Sequence, residues 1–269
     1  MTSVMWDGPE LAMLYDRISD LQFEGGRRLV AMMGVGPGEA VLDVGCGTGR
    51  LAVYLADVVG PSGRVTGIDP SPHRIQIARE KLNPARRRNL QFTIGRGEDL
   101  SAFGGSGFDH ACYSSVIHWI GEKRAALAEA YRVLKPGGSL AMNTVDKAHH
   151  FAMKKVMDDL IARKYSQYAD LGDEMMRQLV DGAELAELLG AAGFRDVRVE
   201  VVPEKHCYAS PKELFDFIEA SSFGNFLRGV PGHVRSEILE DMGKGLERMR
   251  TPAGIELASN MLYAMASKP

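Results

Sequence analysis

The residues best suited to chemistry lie in one run, VLDVGCGTGRLAVYLA, from Val41 to Ala56. Asp43 is a carboxylate inside an apolar strand pattern, and Gly45, Gly47 and Gly49 follow it at alternate positions. Glycine lets the chain turn sharply and lets a ligand come close to the backbone, and the amphipathic stretch beyond begins a helix whose free N–H groups point at that ligand. The spacing is G-x-G-x-G, with Arg50 where a dinucleotide-binding fingerprint wants its third small residue. In that turn Asp43 repels a pyrophosphate and favours a cationic amino-acid head group. Asp43 can equally cap the turn backbone, and the two roles are compatible.

Asp69 closes the run VTGIDPS, where a carboxylate can accept both hydroxyls of an adenosine ribose. Several adenosine ligands use such a residue, and an acid ahead of Pro70 and Ser71 also suits the start of a helix. Further on, SSVIHWIGEK carries His118 and Trp119 just after a fourth strand pattern. A histidine there is a candidate general base for a hydroxyl or phenol, while a carboxylate or thiolate nucleophile needs no base and depends on in-line positioning. The structural reading is that Trp119 packs the loop and His118 starts a helix. Cys46 in the glycine turn has no paired base in the pattern and is not expected to act as a nucleophile.

These positions need a frame. From about residue 40 to 145 short apolar or β-branched runs alternate with helical patterns, as in a parallel sheet with crossover helices. The expected strands are Ala40–Val44, Arg64–Asp69, Leu90–Ile94, His110–Ser114 and Ser139–Thr144, with helices over Gly49–Val58, His73–Leu82 and Lys123–Leu134, the last stopped by KPGG. Residues 147–180 read as helical and methionine-rich, Ala183–Ala192 as a helix ended by Gly193, Val197–Val202 as a strand, Pro211 through Arg250 as helical, and Leu257–Met265 as a final strand. Among the aromatic residues of the late insertion, Phe215, Phe217, Phe223 and Phe226 suit its own core better than a substrate pocket, and Arg86, Arg87 and Arg88 suit a solvated loop.

Composition narrows the function classes. The chain has 269 residues, 45% hydrophobic and 25% charged, with a formal net charge of −3, which gives no bulk attraction for nucleic acid or an anionic membrane. Three widely spaced cysteines, Cys46, Cys112 and Cys207, form neither a disulfide framework nor a CxxC site and suit a reducing compartment. The first residues lack a signal-peptide pattern and no run approaches a membrane span, so a cytoplasmic protein is expected. Adjacent His149 and His150 diverge on a helix, and no metal site is expected.

Four strand-end motifs, VLDVGCGTG, GIDPS, GFDHACYSS and RVLKPGGSL, together resemble the class I S-adenosylmethionine-dependent methyltransferases over about residues 38–145. The resemblance implies an α/β fold: a Rossmann-like seven-stranded sheet with helices on both faces, its last strand antiparallel, and a helical cap inserted in the C-terminal third. It implies that Asp43, Gly45, Gly47 and Gly49 face the methionine part of S-adenosylmethionine, that Asp69, with Pro70 after it, holds the ribose, and that Ser114 touches the methionine end. The family usually carries an acidic or amide residue for the adenine amino group where this chain has Arg96, a donor-only side chain. The backbone N–H of Gly97, with Glu98 or Asp99 as acceptor, is the substitute. The N-terminal stretch with Tyr15, Asp16 and Phe23 is similar to the segment that folds over the cofactor. The His118–Trp119 loop is similar to that of the small-acid carboxyl methyltransferases.

The resulting expectation is one domain over residues 1–269: an N-terminal segment 1–36 over the cofactor, a cofactor-binding half 37–146, and cap insertions 147–182 and 209–252. It transfers a methyl group to a carboxylate or hydroxyl oxygen of a small acceptor held by Tyr15, His118 and Trp119. Nucleic-acid and membrane partners are not expected. A non-catalytic S-adenosylmethionine-binding module and a nicotinamide-dependent oxidoreductase are the alternatives. Arg50 and Asp43 stand against the latter.

Overall fold

A computed structural model describes residues 7–82, 88–148, 152–168 and 178–269. Its element order is α1 (Pro9–Ile18), α2 (Asp20–Met33), β1 (Ala40–Val44), α3 (Arg50–Val59), β2 (Arg64–Asp69), α4 (Pro72–Glu80), β3 (Leu90–Ile94), β4 (Phe108–Ser114), a 3-10 turn (Ile117–Trp119), α5 (Lys123–Val133), β5 (Leu134–Val145) and α6 (Ala152–Lys164). There follow a second 3-10 turn (Ser166–Tyr168), α7 (Gly182–Ala191), β6 (Arg195–Tyr208), α8 (Pro211–Ser221), α9 (Gly232–Glu247), β7 (Arg250–Thr251) and β8 (Gly254–Ser267).

The strands form one sheet in the order β3-β2-β1-β4-β5-β8-β6. Strands β1 to β5 pair in parallel, and β8 runs antiparallel to both β5 and β6. The seven-stranded α/β arrangement is therefore present, with one addition: the two-residue β7 pairs with β8 in a hairpin. Because β1 is wholly buried, its alternate side chains serve two cores. Leu42 and Val44 pack with Ala126, Leu127 and Ala130 of α5 and Leu185 and Leu189 of α7. Val41 packs on the other face with Leu29 of α2, Leu55 of α3 and Ile75 of α4. Helices thus cover both faces, as a parallel sheet requires.

Several boundaries differ from the sequence expectation. Strand β5 starts at Leu134 and absorbs the KPGG segment, with a register shift between the Phe108↔Leu134 and His110↔Ser139 pairs. Strand β6 extends to Tyr208 because β8 offers it partners as far as Ile255, and Pro203 is tolerated on this edge strand, where one side of the backbone needs no ladder partner. The helical run from Pro211 to Arg250 breaks between Ser221 and Gly232, where Phe223, Gly224, Leu227 and Gly229 have positive φ. Of the 147–180 stretch, α6 and the second 3-10 turn are described. Residues 149–151 and 169–177, with His149, His150, Met175 and Met176, lie outside the described residues, as do Arg86 and Arg87.

The helices α6, α8 and α9 pack as a cap with its own cores. Phe215 and Phe226 join Tyr165, Ile238 and Met242 in one, while Phe217 joins Tyr208, Leu246 and Ile255 in another. Phe223 leaves both and faces the sheet edge. Among the described residues no helix is long and apolar enough to cross a membrane, and no group of three metal-ligating side chains occurs. Cys46, Cys112 and Cys207 are free thiols.

Candidate active site

The strand order reverses between β2-β1 and β4, so a crevice opens beyond the C-terminal ends of β1 and β4, where open α/β sheets bind ligands. The turn after β1 lines it. Gly45, Gly47 and Gly49 have φ of 69°, 54° and 81°, the left-handed region that excludes most side chains. Space excludes them too. A Cβ on Gly45 would lie 2.3 Å from Val116 Cγ2, and one on Gly49 2.6 Å from Phe92 Cζ.

Asp69 ties this turn to the end of β2. Its Oδ2 accepts from Gly47 N at 2.9 Å and its Oδ1 from Ser71 N at 2.8 Å. Burial pushes its carboxyl up, opposed by Arg74 and by these two N–H groups. Each oxygen keeps a further lone pair, the feature a ribose hydroxyl would use. Ser71 also caps α4, accepting from Arg74 N at 3.2 Å, with Pro72 at the first helical position.

Asp43 is 1% exposed, and one oxygen accepts weakly from Cys112 Sγ at 3.4 Å. The other oxygen, Oδ2, has no partner among the described residues. Burial, with the Asp69 charge adding to it, pushes this carboxyl up to about 7. An unpartnered buried carboxylate oxygen is costly unless a ligand answers it.

The cleft is lined by Tyr15, Ser19, Gln22, Phe23, Asp43, Gly45, Cys46, Thr48, Arg50, Leu51 and Ser114. Of the residues expected from sequence it brings together Tyr15, Asp43, Gly45 and Ser114, whose Oγ donates to the Gln22 carbonyl at 3.4 Å. Pro70 follows Asp69 behind the turn. Gly97 packs beside Val44, Tyr113 and Ile120, and Glu98 accepts from Arg96 Nη2 at 2.8 Å, so the arginine unusual at this place has an anionic neighbour two residues on.

His118 and Trp119 form the 3-10 turn after β4 and lie outside the residues lining the cleft. The His118 ring is buried, with Nδ1 2.9 Å from Thr144 Oγ1. Burial, with Lys123 nearby, holds the imidazole down at about 3, so it is neutral near pH 7.

Sequence reasoning missed a buried clamp. The Arg74 guanidinium, 2% exposed, meets Asp7 at 3.0 Å and donates to the Ala220 carbonyl at 2.7 Å. It lies 4.1 Å from the Tyr15 ring centroid and 3.9 Å from that of Phe223. Phe223 then meets Trp119 edge-on at 5.3 Å, and Trp119 meets His118 at 5.0 Å. A chain of stacked groups, with the Arg74 guanidinium between two of its rings, thus runs from Tyr15, which abuts Gly47, to His118. No local signal marks Arg74 in PHRIQIARE, and its partners are too distant in sequence to suggest it.

The S-adenosylmethionine that this arrangement implies fits the chain's own residues: a backbone cradle without room for a Cβ, an unanswered buried carboxylate for a cationic head group, and Asp69 at the end of β2.

Comparison with known proteins agrees with this geometry. A family model described as a methyltransferase domain matches residues 36–193. A demethylmenaquinone methyltransferase of Listeria monocytogenes is 32% identical over 200 residues, covering 68% of this chain and 84% of the relative. In fold, the chain is similar to the YcgJ protein of Bacillus subtilis, with a TM-score of 0.62 at 15% identity over 91% of this chain and 98% of that one. It is also similar to phosphoethanolamine N-methyltransferase 2 of Haemonchus contortus in complex with S-adenosylmethionine, with a TM-score of 0.63 at 18% identity over 97% of this chain and 57% of that one. The family model spans more than half of the chain and the relative two thirds of it, so the chain belongs to the methyltransferase-domain family and is a class I S-adenosylmethionine-dependent methyltransferase.

Proposed function

We propose that this enzyme methylates a small, ring-hydroxylated aromatic acceptor of the quinol class. The observation that carries the reading is the chain of stacked groups Tyr15–Arg74–Phe223–Trp119–His118, which extends from the glycine turn and surrounds the acceptor side with aromatic rather than charged surface. The one cation in that stack is already answered by Asp7 at 3.0 Å, so the stack carries no free charge for a carboxylate acceptor. The curated relatives named as demethylmenaquinone methyltransferases support an acceptor of this kind.

In this reading Asp43, Gly45, Gly47, Gly49 and Ser114 hold the amino-acid end of the cofactor, Asp69 and Pro70 the ribose side, and Gly97 and Glu98 the adenine side. When bound, S-adenosylmethionine supplies a methyl group on a positively charged sulfur. The protein contributes chiefly position: Tyr15 and Trp119 set the plane of the acceptor, and excluding water keeps the reacting atoms in line. His118, neutral and held through Thr144, backs the Trp119 ring at 5.0 Å and acts on turnover by positioning it. Residues 1–269 act as one unit, with the N-terminal segment covering the cofactor and the insertions 147–182 and 209–252 enclosing the acceptor.

The test is methyl transfer from labelled S-adenosylmethionine to a reduced naphthoquinol, its oxidised quinone, a simple phenol and a set of small dicarboxylic acids. Label in the quinol, absent from the quinone and the acids, is the expected result, and product NMR locates the methyl group. Methyl-ester formation on the acids, with none on the quinol, overturns the reading.

A further inference from the structure

The amino-acid end of the cleft carries polar groups of both signs whose partners are missing or loosely held. Among the described residues Asp43 Oδ2 and Gln22 Oε1 are buried acceptors with no hydrogen-bond partner, and both residues line the cleft. Two unanswered acceptors in one place suit a group with several donors, such as an ammonium. Among the described lining residues the cation is Arg50, the first residue of α3.

The present partners of Arg50 are replaceable. Its Nη2 lies 2.6 Å from Asp20 Oδ1, but Asp20 is 77% exposed, and a pair so open to solvent is worth little. Its Nη1 lies 3.3 Å from the hydroxyl of Ser19, a neutral acceptor. The guanidinium plane is meanwhile oriented over the Phe23 ring at 4.9 Å. A guanidinium carries five donors in a fixed fork, so it can exchange Asp20 for another carboxylate without leaving its seat. The nearby cation Lys81 is outside the cleft lining and committed to Asp16 and the Thr48 carbonyl.

We infer that Arg50 is the carboxylate anchor of this site: its fork takes the α-carboxylate of the cofactor in place of Asp20, while Asp43 and Gln22 take the ammonium beside it. The site therefore reads a whole zwitterion, and Asp20 acts as the resident competitor. Ser19 joins α1 to α2, so the exchange is felt at the helix that carries Tyr15.

The test compares calorimetric binding of S-adenosylmethionine with that of decarboxylated S-adenosylmethionine, which differs by the carboxylate alone. The unsubstituted protein is expected to prefer the former about 10- to 100-fold, the size of a strong charge-assisted pair. Arg50→Gln removes that preference by weakening S-adenosylmethionine alone. Asp20→Asn tightens S-adenosylmethionine about 2- to 3-fold and leaves the decarboxylated ligand unchanged. Equal weakening of both ligands by Arg50→Gln assigns the residue to packing of α2 on α3 and overturns the inference, and so does no weakening of either. If thermal melting shows Arg50→Gln unfolded, the Asp20→Asn arm decides: a change equal for both ligands, or none, overturns the inference.

Discussion

The glycine-turn side of the cleft takes its backbone from two short stretches, 43–50 and 69–71, to which α2 adds Gln22 and β4 adds Ser114. The aromatic side gathers Asp7, Tyr15, Arg74, Trp119, Ala220 and Phe223 from segments as far apart as 7–15 and 220–223. Hydrogen bonds on the first side close through the backbone, as between Asp69 and the N–H groups of Gly47 and Ser71. On the second side they span 67 residues from Arg74 to Asp7 and 146 from Arg74 to Ala220. The turn is a local product of φ and strand geometry and exists once β1 and β2 pair. The clamp exists only when the N-terminal segment, α4 and the cap have all docked. In the proposed reading, cofactor recognition thus rests mainly on a turn closed by neighbouring backbone, and acceptor recognition on contacts between segments far apart in the chain.

The most severe way to break the second side is Arg74→Met. It leaves Asp7, one of whose buried oxygens has no partner among the described residues, without its cation, and losses of this kind cost about 3–5 kcal/mol. In a chain of this size that lowers the melting temperature by roughly 10 °C. The double variant Asp7→Asn with Arg74→Met regains much of the loss, because neither charge is then stranded. A melting temperature equal to that of the single variant would show that Arg74 matters through packing rather than charge.

On the first side, Asp69→Ala is expected to weaken S-adenosylhomocysteine binding about 100-fold, since it removes the candidate ribose acceptor and frees the Gly47 N–H, while His118→Ala leaves that affinity unchanged and lowers turnover. Calorimetry separates the two. Equal loss of affinity in both variants would dissolve the distinction between a cofactor side and an acceptor side.

The same contrast accounts for what could be read in the sequence. Strands β1, β2 and β3 have their expected bounds: β1 and β2 are buried apolar runs that end at Gly45 and Pro70, and the edge strand β3 alternates buried Leu90 and Phe92 with exposed residues before Gly95. The turn glycines were legible for the same local reason. Arg74 was not: in PHRIQIARE nothing distinguishes a solvated arginine from one enclosed by Tyr15, Phe223 and Asp7. The break after Ser221 was hidden as well, since Phe223 and Leu227 adopt positive φ, of 56° and 52°, without the glycine that usually signals it. Phe223 leaves the cap core because this strained turn aims it at Arg74. Gln22 and Ser19 belong to the cleft solely because α2 packs over β4.

A change of pH probes the first side without mutation. Asp43 is held at about 7, above its unfolded value near 4, by burial and then by Asp69. A carboxyl raised on folding binds its proton more tightly in the native state, so its contribution to stability is full below about pH 4 and is lost as pH rises through about 7. The cationic ligand needs the ionised form, so affinity moves the other way. It weakens as pH falls below about 7, by up to about tenfold per unit. Asp43→Asn flattens both dependences and raises the melting temperature of the ligand-free protein at pH 8. Binding that is level from pH 5.5 to 8.5 in the unsubstituted protein would mean that Asp43 does not meet the positive end of the ligand.

The smallest effects distinguish two phenylalanines of the cap separated by six residues. Phe217 packs with Tyr208, Leu246 and Ile255, whereas Phe223 contacts Arg74 and Trp119 and neither cap core. Phe217→Leu removes part of a ring from a cap core, costing about 1 kcal/mol and a few degrees of melting temperature, with the kinetic constants unchanged. Phe223→Leu keeps the volume roughly filled but removes the ring from the middle of the stack. It is expected to raise the KM for the aromatic acceptor about threefold to tenfold and to leave cofactor affinity as it was, because the cofactor's seat is built from the turn. Steady-state kinetics with acceptor varied at saturating cofactor read this directly. A rise in the KM for cofactor instead would move Phe223 to the cofactor side, and the cap would then guard the turn rather than shape the acceptor.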